Sequence, residues 1–149
     1  MTTMIEELTR AAQPTTVTPA PAPAADPVVA VLGQRSRVGA LPQHLPSGWS
    51  VRALTVLDDA RPGEIILLSG ARVEDVRQAR VTLPRASRIV VLIDEWAPAA
   101  LVAGILTAGA DVCVRGGHPA ILAGHLVACR RRQLAERWAT LDPARTSNI

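Results

Sequence analysis

The chain alternates between short continuous apolar runs and longer segments whose apolar residues recur every three or four positions. Continuous runs at 28–33, 64–70 and 88–93 have the length of strands buried on both faces. A run with alternating character at 49–57 predicts a strand near a sheet edge, and a short run at 111–115 predicts the last strand. The pattern therefore predicts five strands.

The segment after the third strand has the spacing of an amphipathic helix. Val73, Val76 and Leu83 share one face of 72–83, and Pro84 ends the helix. Between the first two strands, Pro42 and Pro46 interrupt the segment at 35–48, so any helix there is expected to be short or broken.

Two further helices are predicted near the end of the chain. The first is expected to follow a cap at Asp94 or Glu95 and to stop at Gly109. The last begins at Pro119 and runs to about Trp138.

Strands that alternate with helices through short turns favour right-handed crossovers and a parallel sheet with helices on both faces. The count and spacing are typical of an α/β, flavodoxin-like, doubly wound five-stranded sheet, whose order by analogy is 2-1-3-4-5. The core is expected to contain Val31, Ile66, Leu68, Val90, Leu92 and Val112.

Composition divides the chain into one domain and two tails. Residues 1–27 contain the tract QPTTVTPAPAPAADP, which cannot bury enough apolar surface to fold and predicts a disordered, semi-stiff spacer. The folded domain is predicted over 28–139, followed by a polar tail at 140–149. Before the proline tract, apolar residues with helical spacing leave two alternatives, a frayed end or a tethered peptide that docks on a partner. These residues are Met4, Ile5, Leu8 and Ala12.

Composition and charge narrow the classes of function. All sixteen basic residues are arginine, and the formal charge of +3 does not by itself imply nucleic acid. Two cysteines make no disulfide framework, which favours a reducing cytoplasm. The amino-terminal segment has the acids Glu6 and Glu7 and no apolar signal region, and no run is long enough to cross a membrane.

The segment from Gly109 to Arg132, GADVCVRGGHPAILAGHLVACRRR, resembles the last strand and last helix of response-regulator receiver domains. The earlier runs EIILLSG and RIVVLI resemble the third and fourth receiver strands, and AGAD is the best-matching run. The likeness covers about 115 residues and is carried mostly by the hydrophobic pattern. The separation from Gly33 to Ser69 is short for the family, so the resemblance implies that the first two helices are trimmed or replaced by loop.

The resemblance implies a specific chemistry at the ends of the strands. Receivers hold Mg²⁺ with two acids after the first strand, accept a phosphoryl group on an aspartate after the third, and use a hydroxyl residue and a lysine after the fourth and fifth. The corresponding positions are occupied here by Gly33 and Gln34, Ser69, Ile93 or Asp94, and Arg115 or Gly116.

None of these positions keeps its diagnostic residue, and the chain contains no lysine. Ser69 has no acids near it in this alignment, so the resemblance implies a vestigial pocket that cannot assemble the Mg²⁺ site. The chain is therefore predicted to be a degenerate pseudo-receiver with no cofactor.

Other chemistry is weakly represented. Zinc ligation is an alternative for four residues of suitable type, but they lack a recognised knuckle spacing and otherwise read as inert cysteines and ordinary histidines. They are Cys113, His118, His125 and Cys129. Ser69 is not in a GxSxG elbow, and LGQRSR is not a phosphate-binding loop. We expect no catalytic and no metal site.

Exposed charge and tryptophan give a candidate interface. Trp96, on a loop, is either a lid over the core or an exposed anchor, and the arginines of the last helix are either a solvated helix end or a docking surface. The candidate interface residues are Trp96, Arg130, Arg131, Arg132, Arg137 and Trp138. In receivers, the last two helices and last strand form a dimer surface, which the resemblance extends to this chain.

The sequence thus predicts a cytoplasmic, non-enzymatic pseudo-receiver that binds a protein partner in bacterial signalling or gene regulation. Alternatives are a nucleic-acid-associated regulatory factor that uses the arginine-rich helix, a receiver-like partner of a MinD/ParA-type positioning ATPase, and an aberrant phospho-acceptor.

Overall fold

Five parallel strands form the centre of the molecule in the computed structural model, which describes residues 26–141. The strands are β1 (Val28–Gly33), β2 (Ser50–Ala53), β3 (Ile65–Ser69), β4 (Arg88–Ile93) and β5 (Val112–Arg115). They pair in the order β2-β1-β3-β4-β5, and every pair is parallel. The predicted fold and strand order are confirmed.

Helices cover both faces of the sheet. They are α1 (Val73–Thr82), α2 (Ala99–Thr107) and α3 (Pro119–Leu141). Short 3-10 turns at Arg35–Val38, Leu41–Gln43 and Leu57–Asp59 stand where the first two crossover helices were predicted to be trimmed. Pro42 and Pro46 explain why the first crossover builds no longer helix.

Alternate strand residues point to two separate apolar layers. One layer joins the strands to α3 through Leu122, Leu126 and Cys129. The other joins them to α1 and α2 through Val76 and Ile105. Because β1, β3 and β4 are covered on both faces, their residues form the continuous apolar runs seen in the sequence.

The predicted elements at the sheet edges needed correction. Val112 is only partly buried, because β5 has a neighbouring strand on one side only. β2 spans four residues and not the whole of 49–57. Neither Asp94 nor Glu95 caps α2. The residue before that helix is Pro98, whose carbonyl accepts the amides of Leu101 and Val102.

The predicted tails lie mostly outside the described residues. Positions 1–25 and 142–149 are not described, while α3 continues through Leu141, two residues into the segment predicted as a polar tail. Within 26–141, no helix combines the length and apolar character needed to cross a bilayer.

Candidate functional site

The carboxyl ends of the strands bring together all of the residues predicted to form the vestigial pocket. Gly33 pairs in register with Ser69, Ser69 with Leu92, and Ile93 with Arg115. Gln34, Asp94 and Gly116 follow directly on these strands. This set occupies the edge at which parallel α/β sheets bind ligands.

A seam of hydrogen bonds closes the centre of this edge. The Ser69 hydroxyl donates to the Gln34 carbonyl at 2.8 Å, and the Gln34 amide donates to the Ser69 carbonyl at 3.1 Å. Ser69 is 3% exposed. Its hydroxyl is therefore held inward against backbone and does not point to solvent as an acceptor for a phosphoryl group would.

The close approach of the two strands in this seam leaves no room for a side chain at Gly33. Its φ is +108°, and a Cβ built on it would lie 2.3 Å from the Ser69 carbonyl oxygen. Any side chain at this position must displace β3 backbone. An acid cannot be placed there to hold a metal without moving the strand end.

A shallow cavity of about 370 Å³ lies on the β4–β5 side of the seam. Asp94 and Glu95 line it, and the Arg37 guanidinium lies 3.4 Å from the Asp94 carboxylate. The Asp94 side chain is 75% exposed, so water screens this pair and it contributes little to stability. The lining also includes Gly116, whose amide donates to the Ile93 carbonyl at 2.9 Å.

A second cavity, of about 310 Å³, corrects the prediction that Ser69 has no acids near it. Glu74 and Asp75, from the first turn of α1, line this cavity together with Ser69. Both carboxylates already have partners. Asp75 accepts the Arg72 amide at 2.9 Å, and Glu74 forms an ion pair with Arg77.

The Ser69 hydroxyl bonds to Gln34 and not to either of these acids. The sequence signal for Glu74 and Asp75 was their place in the first turn of the helix that follows Ser69. Among residues 26–141, no three or more His, Cys, Asp or Glu side chains are grouped so as to hold a metal ion.

Trp96 is 88% exposed, so the prediction of a lid over the core is wrong. It follows β4 at the carboxyl edge, whereas Glu136 of α3 contacts Arg88 at the opposite end of the same strand. The structure therefore places Trp96 and the turn of α3 that carries Trp138 at opposite ends of β4, so the two tryptophans do not form one surface.

The rest of the candidate interface lies together on the later turns of α3. Arg131, Arg132, Arg137 and Trp138 are exposed, and Arg130 is half-buried. Arg132 bends back so that its guanidinium lies 3.3 Å from the Cys129 sulfur. The contact between Glu136 and Arg88 keeps this part of the helix on the domain, so the helix covers the sheet at least as far as Glu136.

The AGAD run lies at the amino edge of the sheet, where Asp111 forms hydrogen bonds to β4. Asp111 accepts the Ile89 amide at 2.8 Å and the Arg88 guanidinium at 3.0 Å. Gly109 precedes it with φ of +123°, and the Arg80 side chain lies against the position that its Cβ would take. The best-matching run of the resemblance thus ties β5 to β4 and α1, and makes no part of the pocket.

Arg88 connects the same edge to α3. Burial lowers the pKa of its guanidinium, but the bonds to Glu136 and Asp111 outweigh that effect and raise it. A second charged contact joins β2 to the start of β3. Glu64, directly before β3, accepts two hydrogen bonds from Arg52 of β2, at 2.8 and 2.9 Å. These bonds hold the pKa of Glu64 below its ordinary value.

The four residues considered for zinc differ in how deeply they are buried. Cys129 is buried in the layer under α3, while His118 and His125 are exposed. Cys113 is half-buried, and burial raises the pKa of its thiol. A thiol in this state is a weaker nucleophile at neutral pH than a free cysteine.

Comparison with known proteins supports the fold. No family model matches the chain, and no curated protein matches it either. Among solved structures, the chain is similar to a response regulator receiver protein from Pseudoalteromonas atlantica, with 8% sequence identity and a TM-score of 0.54. The match covers 69% of this chain and 96% of that one. At this identity the likeness concerns the fold, and this chain has a receiver-like fold.

Proposed function

We propose that this chain is a pseudo-receiver of the cytoplasm that acts in signalling or gene regulation by binding a protein partner, without aspartyl phosphorylation and without catalysis of its own. The observation that carries the proposal is the seam between Ser69 and Gln34. The acceptor position holds a hydroxyl whose hydrogen bond is directed into backbone, and the carboxyl end of β1 presents glycine and an amide.

Phosphoryl transfer to an aspartate depends on positioning and on charge stabilisation by metal and lysine. The chain has no lysine to supply the charge of the second group, and Arg115, the last residue of β5, is exposed. A receiver fold without this electrostatic apparatus retains a packed scaffold and its surfaces. Binding through those surfaces is the function that such a scaffold still supports.

The later turns of α3 are the favoured surface for a partner. Arg131 and Arg132 are exposed side by side, and Trp138 is 55% exposed two turns later. Arginine forms bidentate contacts with carboxylates, and tryptophan is enriched among residues that dominate interface energies. An acidic surface with an apolar pocket on the partner would match both.

Phosphorylation is tested by incubating the full chain with acetyl phosphate and Mg²⁺ and measuring its intact mass. We expect no added phosphoryl group on the wild type. A Ser69→Asp variant is the sharper control, because it supplies the acceptor but not the metal-binding acids, and it too should stay unmodified. A stable phosphoryl adduct that disappears when a carboxylate is replaced would overturn the proposal.

Partner binding is tested by capture from the source cytoplasm with three folded variants. Arg131→Ala/Arg132→Ala/Trp138→Ala should lose the captured protein, whereas Trp96→Ala, at the opposite edge of the sheet, should retain it. Arg72→Ala/Arg77→Ala removes the same charge from the amino-terminal end of α1, where Arg72 directly precedes the helix, and should also retain the captured protein. Equal capture by all variants would remove α3 as the docking surface.

Nucleic acid is the competing ligand for these arginines. A binding constant that falls steeply with salt, and captured material that is nucleic acid, would contradict the protein-partner proposal.

A further inference from the structure

The amino edge of the sheet carries a groove between α3 and the loops that precede β3 and β4, which shares only Arg130 and Arg137 with the predicted interface. Two adjoining cavities, of about 410 and 440 Å³, share Pro62, Gly63, Arg130 and Arg137. The first continues along α3 past Leu134 towards Pro84 and Ala86, so its wall is largely apolar. The second opens beside Asp26 and Pro27, where the chain enters the domain. We name the two cavities together the amino-edge groove.

Two arginines of the amino-edge groove, Arg61 and Arg137, form no ion pair within the described chain. Three carboxylates line it: Glu64 is bonded to Arg52, Glu136 is bonded to Arg88, and Asp26 lies at the mouth of the groove. The groove therefore offers an apolar wall bordered by exposed positive charge.

The amino-terminal segment has the complementary chemistry. Met4, Ile5 and Leu8 lie at the spacing of one helical face, and Glu6 and Glu7 are adjacent to that face in the sequence. Residues 4–12 contain two carboxylates and one arginine, Arg10, so an apolar stripe with a net charge of −1 faces an apolar groove bordered by arginines. The charge pairs across such a contact would give it orientation and register.

The length of chain that joins this segment to the domain also favours it as the occupant of the groove. Fourteen residues, 13–26, join the segment to Pro27 at the mouth of the groove. Extended at about 3.1 Å per residue, they reach about 43 Å, which exceeds the length of any strand beside the groove. A tether of this length gives an effective concentration on the order of millimolar, so even an affinity of about 1 mM docks the segment for half of the time.

We propose that residues 4–12 of this chain dock in its own amino-edge groove, with Ile5 and Leu8 against the wall at Pro62 and Leu134 and the carboxylates of Glu6 and Glu7 toward Arg61 and Arg137. The occupant is a segment of the same molecule, so the contact is independent of protein concentration. It does not depend on the chemistry of Ser69 or on an external partner.

The test compares amide NMR spectra of the full chain with those of the full-length Ile5→Asp/Leu8→Asp variant. The variant places two charges on the apolar stripe and should release the segment. The amide signals of Gly63, Leu134 and Arg137 should shift, while those of Gly33, Gly70 and Gly116 at the carboxyl edge should not. Thr2→Asp/Thr3→Asp adds the same charge outside the stripe and should leave the groove signals in place.

A charge exchange gives the second measurement. Arg61→Glu/Arg137→Glu should move the signals of residues 4–12 to the positions that they have in the Ile5→Asp/Leu8→Asp variant, and adding Glu6→Lys/Glu7→Lys should restore them. Arg72→Glu/Arg77→Glu, at the amino-terminal end of α1, makes the same change of charge away from the groove and should have no such effect.

Groove signals that are the same with and without the apolar stripe would overturn the proposal. So would shifts that appear only as the protein is concentrated, since they would place the segment on a second copy. Loss of partner capture by the α3 variants has no bearing on these signals, so the two proposals fail separately.

Discussion

The two edges of the sheet are built by different forces. At the carboxyl edge, neutral hydrogen bonds between Ser69 and Gln34 close the space in which receiver chemistry would occur. At the amino edge, ion pairs join β4, β5 and α3 through Arg88. The centre of the carboxyl edge is therefore held by neutral groups, whereas the amino edge is held by charged ones.

The difference separates the residues that carry the resemblance from those that carry the chemistry. In the AGAD run, Gly109 and Asp111 hold β4, β5 and α1 together at the amino edge, away from the positions of phosphoryl chemistry. Phosphoryl chemistry requires particular side chains at the carboxyl edge, and the scaffold folds without them. A likeness in the residues of the amino edge therefore predicts the fold and does not predict the activity.

The largest expected effect tests whether the carboxyl edge is truly closed. In Gly33→Ala, the new methyl would lie 2.3 Å from the Ser69 carbonyl oxygen, at a φ of +108°. Backbone strain and steric overlap of this kind should reduce the free energy of unfolding by about 2–6 kcal/mol. Chemical denaturation measures the loss.

Gly124→Ala is the matched control for that substitution. Gly124 lies within α3, and nothing lies within 4 Å of its hypothetical Cβ. Alanine there should stabilise the protein by up to about 1 kcal/mol, because it has the higher helix propensity. A Gly33→Ala variant as stable as the wild type would show that the seam opens readily and that the edge can still admit a side chain.

The next effect tests the charged edge. Asp111→Ala removes the acceptor for both the Ile89 amide and the Arg88 guanidinium, and it leaves these donors in a half-buried place. We expect a loss of about 1–3 kcal/mol in the free energy of unfolding. Asp58→Ala, an exposed acid in a 3-10 turn, should change it by less than about 0.5 kcal/mol. Equal losses at the two positions would show that the network at Asp111 is only surface charge.

The sequence predicted the centre of the molecule better than its edges. The boundaries of β1 and β4 followed from apolar runs at 28–33 and 88–93, because strands with neighbours on both sides exclude water along their whole length. β2 was predicted to be longer than it is, and Val112 was predicted to be more buried than it is. An edge strand has one neighbour, and its exposure depends on what lies beside it, which the local pattern does not record.

The candidate site shows the same limit. Alignment to the receiver pattern located Gly33, Ser69 and Gly116 at one edge, because parallel strands end together. It did not reveal that Glu74 and Asp75 share a cavity with Ser69, since that depends on how α1 lies over the end of β3. Nor did it reveal the bond from Ser69 to Gln34, which joins residues 35 positions apart.

The smallest expected effect is the pH dependence of stability that Glu64 contributes at the amino edge. The hydrogen bonds from Arg52 hold the pKa of Glu64 below its ordinary value of 4.5, so the folded state binds a proton there less readily than the unfolded chain. The resulting stabilisation is present above pH 4.5 and is lost as the pH falls through the lower folded value. Since Arg52 is partly exposed to water, we expect less than about 1 kcal/mol.

Denaturation of wild type and Glu64→Gln between pH 7 and pH 3 measures this contribution. The wild type should be the more stable at pH 7, and the difference between the two should shrink below pH 4.5, because the protonated Glu64 then resembles the amide. Glu74→Gln, an exposed glutamate on α1, controls for the substitution itself. A difference between wild type and Glu64→Gln that stays constant down to pH 3 would mean that the carboxylate charge of Glu64 does not stabilise the fold. The ion pairs that bear on stability at the amino edge would then be confined to the region around Arg88.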